Sequence, residues 1–192
     1  MSSHERASKR NSQTGRVDER SRCHHEQMAT IDAPDQLTPT AEDLAERIGA
    51  LAQERGQTVA TAESLTGGKL ACHLAAAPNS SEWFRGSVVA YASEVKYELL
   101  GVPLGPVISE QCAAAMAWGV ADLLRADLAI AVTGVGGPDD QEGQPPGTVW
   151  FGVSIQGAVH TELQHFTGGP EEVLEQTTLH ALMMLLDRAR TQ

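Results

Sequence analysis

The chain has 192 residues, 41% of them hydrophobic, enough for one core of ordinary size and hardly two. Its formal charge of -11 falls wholly on residues 37–192, where 8 basic side chains face 19 acidic ones, an imbalance that argues against DNA or RNA as a partner. No stretch approaches the roughly 18–20 uninterrupted apolar residues of a membrane helix, and the first thirty residues are too polar for a signal peptide. The three cysteines, Cys23, Cys72 and Cys112, form neither a disulfide framework nor a zinc pattern. A cytoplasmic protein without a membrane partner is expected.

Residues 1–36 are rich in Ser, Arg, Glu, Gln and His and read as a disordered leader, with one folded domain over residues 37–192. Thr40 is placed to cap a helix whose Leu44, Ile48 and Leu51 share a stripe and whose stop is Gly56. The β-leaning run Thr58–Ser64 ends in a Leu65-Thr66-Gly67-Gly68 turn and leads into a helical Lys69–Ala77. Phe84–Ala92 repeats that layout, giving way at Tyr91-Ala92-Ser93 to a short helix over Glu94–Leu100 closed by Gly101. Ser109 caps a helix with Ala113, Met116, Ala117, Val120, Leu123 and Leu124 on its buried face, and an apolar strand follows over Leu128–Val132. Cys72 and Cys112 read as small apolar fillers. Gly147–Ile155 and Val159–Phe166 form a hairpin turning near Gln156-Gly157, and Pro170, with Glu171 and Glu172 behind it, opens a last helix reaching Arg190. Together these elements predict a three-layer α/β/α sandwich around a mixed sheet.

Ligands of such sheets gather where strand ends lead into helix N-termini, so three loops are candidates: 63–68, 91–96 and 133–148. The first sets a hydroxyl, Ser64, at a strand end before two glycines that let the backbone approach a ligand and donate to an oxyanion. A helix cap made by Ser64 and Thr66 fits the same turn. A nucleophilic serine needs a base, and no histidine is placed for that role: His4, His24 and His25 lie in the leader, His73 in mid-helix, and His160, His165 and His180 late in the chain. The domain has only two lysines, Lys69 and Lys96, and Lys96 lies one helical turn beyond Tyr91. A lysine serves as base once burial lowers its pKa from about 10.4, and a tyrosine hydroxyl can relay the proton. Spacing alone favours Lys96 in solvent and Tyr91 in the core. The third loop is long and glycine-rich; Thr133, Gly134 and Gly137 are expected to face the ligand, with Asp139, Asp140 and Glu142 turned to solvent. Those three acids lack metal-ligand spacing, and no metal is expected.

Taken in series, Ala62-Glu63-Ser64-Leu65-Thr66-Gly67-Gly68, the Gly86–Lys96 segment with Tyr91, Leu99-Leu100-Gly101-Val102, Thr133-Gly134-Val135-Gly136-Gly137-Pro138 and Gly147-Thr148-Val149 resemble the CinA C-terminal family from about Leu37 to Arg190. The best-known activity of that family is nicotinamide-nucleotide amidase. The resemblance implies hydrolysis of nicotinamide mononucleotide, or a related pyridine nucleotide amide, to the acid and ammonia, without an organic cofactor, in a homodimer or higher homo-oligomer. It casts Ser64 as nucleophile, Lys96 as base and Tyr91 as its helper. Glu63, Thr66, Gly67, Gly68, Ser93, Thr133, Gly134, Gly137 and Thr148 are the expected substrate contacts.

The sequence departs from the family pattern twice. Tyr91-Ala92-Ser93 stands where Tyr-Ser-Asn is usual, and Gly168-Gly169-Pro170 stands for Gly-Asp-Arg, with Leu174 at the position of a further Arg. Arginines of that kind are natural phosphate partners; either Arg85 or Lys69 takes over that charge or the substrate lacks a phosphate. A second function class therefore stays open: a non-catalytic relative that binds a nucleotide or a protein partner. A phosphotransferase is disfavoured, because no glycine-rich loop ends in the Lys-Ser or Lys-Thr pair of a P-loop.

Overall fold

A computed structural model of the chain describes residues 38–191; the leader expected over residues 1–36 lies outside them. Eleven elements follow in order: α1 (Ala41–Arg55), β1 (Val59–Glu63), α2 (Lys69–Ala76), α3 (Ser80–Trp83), β2 (Phe84–Val89), α4 (Ser93–Leu100), α5 (Glu110–Leu124), β3 (Leu128–Gly134), β4 (Thr148–Ile155), β5 (Ala158–His165) and α6 (Pro170–Arg190). Local signals set most of the boundaries. Thr40 Oγ1 accepts from the Asp43 amide while the Asp43 carboxylate accepts from the Thr40 amide, a reciprocal cap, and Gly56 closes α1 at φ 62°. Gln156 and Gly157, at φ 48° and 82°, make the two-residue turn of the β4–β5 hairpin, whose twist matches that of its strands.

The strands form one mixed sheet in the order β2-β1-β3-β4-β5, parallel across the first three and antiparallel across the last two pairs. Side chains alternate across it, and the two faces are built differently. On one, Val59, Leu128, Ile130, Val132, Phe151 and Val153 pack against α1, α2 and α6. On the other, Ala60, Ala62, Ala129 and Ala131 admit α5 closely, and a Cβ on Gly152 would overlap the Ala113 carbonyl oxygen. β1 and β3 are buried on both faces, which explains the apolar run Leu128–Val132 and the small residues of β1.

The differences from expectation are local. The one-turn α3 has no periodic signal and exists where Trp83, 1% exposed, plugs the core beside Gly49. Leu123 is exposed, because the buried stripe of α5 ends at Val120. Cys72 is exposed as well: α2 buries only Leu70 and Leu74, and Cys72 falls on its opposite side. Cys112 is buried as a core filler.

Candidate active site

The parallel register assembles the site. Glu63 pairs with Val89 on one side and Val132 on the other, so Ser64, Ala90-Tyr91 and Thr133 emerge side by side at the carboxyl edge of the sheet. A cavity of about 290 Å³ opens there, lined by Ser64, Tyr91, Ser93, Lys96, Thr133, Gly134 and Gly137 among others. The sequence reading named each of these seven.

Lys96 is its most unusual member. It is 1% exposed, and its Nζ donates to the Ala90 carbonyl at 2.6 Å and the Tyr91 carbonyl at 3.4 Å. Burial holds its pKa below the ordinary lysine value, against the opposing pull of Cys112, Glu142 and Glu94. Two backbone carbonyls accept from the amine, and Lys96 also lines the cavity. Burial likewise raises the Cys112 thiol to about 11, so it stays protonated beside Lys96. The open alternative, Lys96 in solvent and Tyr91 in the core, is inverted: Tyr91 is 73% exposed.

The expected phenol relay is not made. The Tyr91 atom bonded to Lys96 is the backbone carbonyl, and its hydroxyl makes no hydrogen bond among the described residues. Strand alternation and the start of α4 turn the ring outward to the cavity mouth. Ser64 is half-buried, and its hydroxyl is likewise without a hydrogen bond there, leaving it available to a ligand.

Five of the expected substrate contacts do other work. Glu63 is fully buried, and its carboxylate accepts from Thr66 Oγ1 at 2.8 Å and from the amides of Gly68, Leu70 and Ala71 at 2.9, 3.1 and 2.8 Å. It caps α2 from beneath the turn, where a negative charge suits the free amides and dipole of a helix start. Thr66 is therefore its partner and not a ligand contact. The Gly67 amide closes the turn onto the Ser64 carbonyl, and Gly68, at φ 104°, directs its own amide to Glu63. The oxyanion donors expected from the two glycines are thus engaged; the unpaired amides of the turn are those of Leu65 and Thr66. Thr148 is buried on β4, with Oγ1 3.4 Å from His165 Nδ1, away from the cavity. Its carbonyl accepts from Val135 and so anchors the glycine-rich loop.

That loop is also held at its tip. Glu142, exposed as expected, also accepts from the amides of Val107 and Ile108 at 2.9 and 3.0 Å, and Thr133 Oγ1 donates to the Val107 carbonyl at 2.6 Å. These bonds pin the segment before α5 as a cavity wall. Val107, Ile108, Leu65, Gln141, Pro170 and Leu174 also line the cavity and were not foreseen. Leu65, Gly136, Pro170 and Leu174 belong to segments already singled out; Val107 and Ile108 read like any core residue and Gln141 like any polar loop residue. Lys69 lines a different cavity with His73 and Glu175, and Arg85 lies near the amino end of β2, opposite β1 residues Val59 and Ala60. Neither substitutes for a phosphate-binding arginine here.

The fold and site define an α/β domain with a serine and a desolvated lysine sharing one cavity at the parallel strand ends. The CinA C-terminal domain matches residues 41–189, and the chain belongs to that family. Protein YdeJ of Escherichia coli (strain K12) is 40% identical over 132 residues, 66% of this chain and 77% of YdeJ. A competence-damage inducible protein of Limosilactobacillus fermentum is 39% identical over 148 residues, 74% of this chain and 36% of the relative. The chain thus spans about a third of the length of the competence-damage inducible proteins it matches. Among solved structures, the CinA superfamily protein from Escherichia coli superposes with TM-score 0.76 at 37% identity, covering 78% of this chain and 90% of that one. The competence damage-inducible protein A from Klebsiella pneumoniae gives 0.77 at 34%, covering 80% and 100%. Among the described residues no helix is long and apolar enough to cross a membrane.

Proposed function

We propose that the protein is an amidohydrolase that removes the carboxamide nitrogen of a pyridine nucleotide, nicotinamide mononucleotide or a close relative, as ammonia. The observation that carries the reading is Lys96: a lysine 1% exposed, its amine donating to two backbone carbonyls, in the cavity that holds Ser64. In this mechanism the Ser64 hydroxyl attacks the amide carbon and passes its proton to Lys96. The oxyanion is received by the Leu65 and Thr66 amides, a contribution of about 3 kcal/mol per donor in serine hydrolases. Lys96 returns the proton to the nitrogen as the C–N bond breaks and ammonia leaves. A water then attacks the Ser64 ester, again deprotonated by Lys96, and the acid is released with Ser64 restored. Tyr91 contributes a carbonyl to Lys96 and its ring to the mouth.

The test is ammonia release from nicotinamide mononucleotide and other pyridine carboxamides by wild type and by Ser64→Ala. Release by wild type alone is expected. Folded wild type that releases none from any of them contradicts the reading and favours the binding relative, while equal release by Ser64→Ala removes the serine from the mechanism.

A further inference from the structure

We infer that Glu142 is a positioning residue for this reaction: reaching from the tip of the glycine-rich loop to the Val107 and Ile108 amides, it holds the wall that keeps water from Lys96. This role deepens the amidase reading and rests on it. The segment joining α4 to α5, residues 101–109, has no regular secondary structure, yet its Val107 and Ile108 are buried and line the cavity together with Lys96. Side chains hold that pair in place. Glu142 Oε2 accepts from both amides, at 2.9 and 3.0 Å, and Thr133 Oγ1 donates to the Val107 carbonyl at 2.6 Å. Neither amide has a backbone acceptor among the described residues.

Glu142 owes its reach to a tight turn. Gln141 and Gln144 exchange backbone hydrogen bonds at 3.0 and 2.9 Å around Glu142 and Gly143, whose φ angles are 52° and 73°. With left-handed backbone at both central positions, such a turn favours Asn, Asp or Gly in the first of them. A glutamate there forgoes that preference and gains a side chain one methylene longer than Asp or Asn, which crosses to the opposite segment. Because a single oxygen serves both amides, the latch depends on length more than on charge. Charge in fact works the other way: Glu142, with Cys112 of α5 and Glu94 of α4, pulls the Lys96 pKa up, and burial outweighs them in holding it down. Glu142 therefore favours a neutral amine only through the wall it fixes.

Glu142→Asn and Glu142→Gln remove the same charge and differ by one methylene: the first suits the turn and falls short of the amides, while the second keeps the reach. Lys9, Lys69 and Lys96 are the only lysines of the chain, so NMR titration with isotope-labelled lysine resolves the Lys96 amine, its signal assigned by its loss in Lys96→Met. The Lys96 midpoint is expected about one unit higher in Glu142→Asn than in Glu142→Gln. Below both midpoints, kcat/KM for nicotinamide mononucleotide should be about tenfold lower in Glu142→Asn, and above them the two variants should converge. A midpoint in Glu142→Asn equal to or below that in Glu142→Gln leaves Glu142 acting by charge alone and overturns the inference. If wild type hydrolyses no pyridine carboxamide, the amidase reading fails separately, and the titration still decides what Glu142 does to Lys96. Should Glu142→Asn not fold, Glu142→Ala takes its place in the comparison.

Discussion

The two strand-to-helix junctions that frame the cavity have the same layout and opposite electrostatics. After β1, a buried carboxylate, Glu63, accepts hydrogen bonds from the first amides of α2; after β2, a buried amine, Lys96, donates to the last carbonyls of the strand. The first arrangement saturates its charged group with local backbone donors, so its product is a fixed turn presenting Ser64. The second gives its amine only two carbonyl acceptors and leaves Lys96 lining the cavity. A buried polar side chain in this fold is therefore structural or chemical according to whether the backbone around it fills every bonding position.

Replacing the chemical member should have the largest effect and fall on rate alone. Lys96→Met keeps the volume and is expected to lower amide hydrolysis by about 100-fold or more, while urea denaturation shows a stability change under about 1.5 kcal/mol. A large loss of stability with retained turnover would reverse the roles of the two junctions. Glu63→Ala is the converse: the Gly68, Leu70 and Ala71 amides lose their acceptor, and a loss of about 3 kcal/mol is expected in the same urea experiment. Glu63→Gln, which restores one acceptor oxygen, should recover part of it; a cost below about 1 kcal/mol for Glu63→Ala would show that the turn holds itself. Thr40→Ala, a cap remote from both junctions, sets the scale at about 1 kcal/mol with turnover unaltered.

The smallest net effect is the dependence of stability on alkaline pH. Burial depresses Lys96 below its ordinary 10.5, so its contribution is complete above 10.5 and lost as pH falls through the depressed value. Burial raises Cys112 from 9.0 to about 11, so its contribution is complete below 9.0 and lost as pH rises toward 11. Just below 10.5 the two slopes oppose each other. Cys112→Ala should leave the stability of Lys96 rising with pH, and Lys96→Met should leave that of Cys112 falling; parallel curves for the two variants would refute the pairing.

Much of this was legible in the chain because it is encoded locally. Thr40 and Gly56 bound α1, Gln156-Gly157 turns the hairpin, and Pro170 opens α6 through backbone preferences a few residues long. Ser64, Tyr91, Ser93, Lys96, Thr133, Gly134 and Gly137 line one cavity because the segments that carry them leave strand ends that parallel register aligns. Side-chain direction at the same ends was not legible. Glu63 and Thr66 turn beneath the turn, and the Tyr91 ring turns outward.

By itself, then, the amino-acid order determined the succession of elements, their caps and turns, and which strand ends would carry polar residues, because these follow from short-range sterics and periodic burial. Only the tertiary structure decided that Lys96 is enclosed and the Tyr91 ring exposed, that Glu63 serves a helix and not a ligand, and that Leu174 faces the cavity. Those outcomes depend on which distant segment closes over each side chain, and neighbours along the chain carry no information about it.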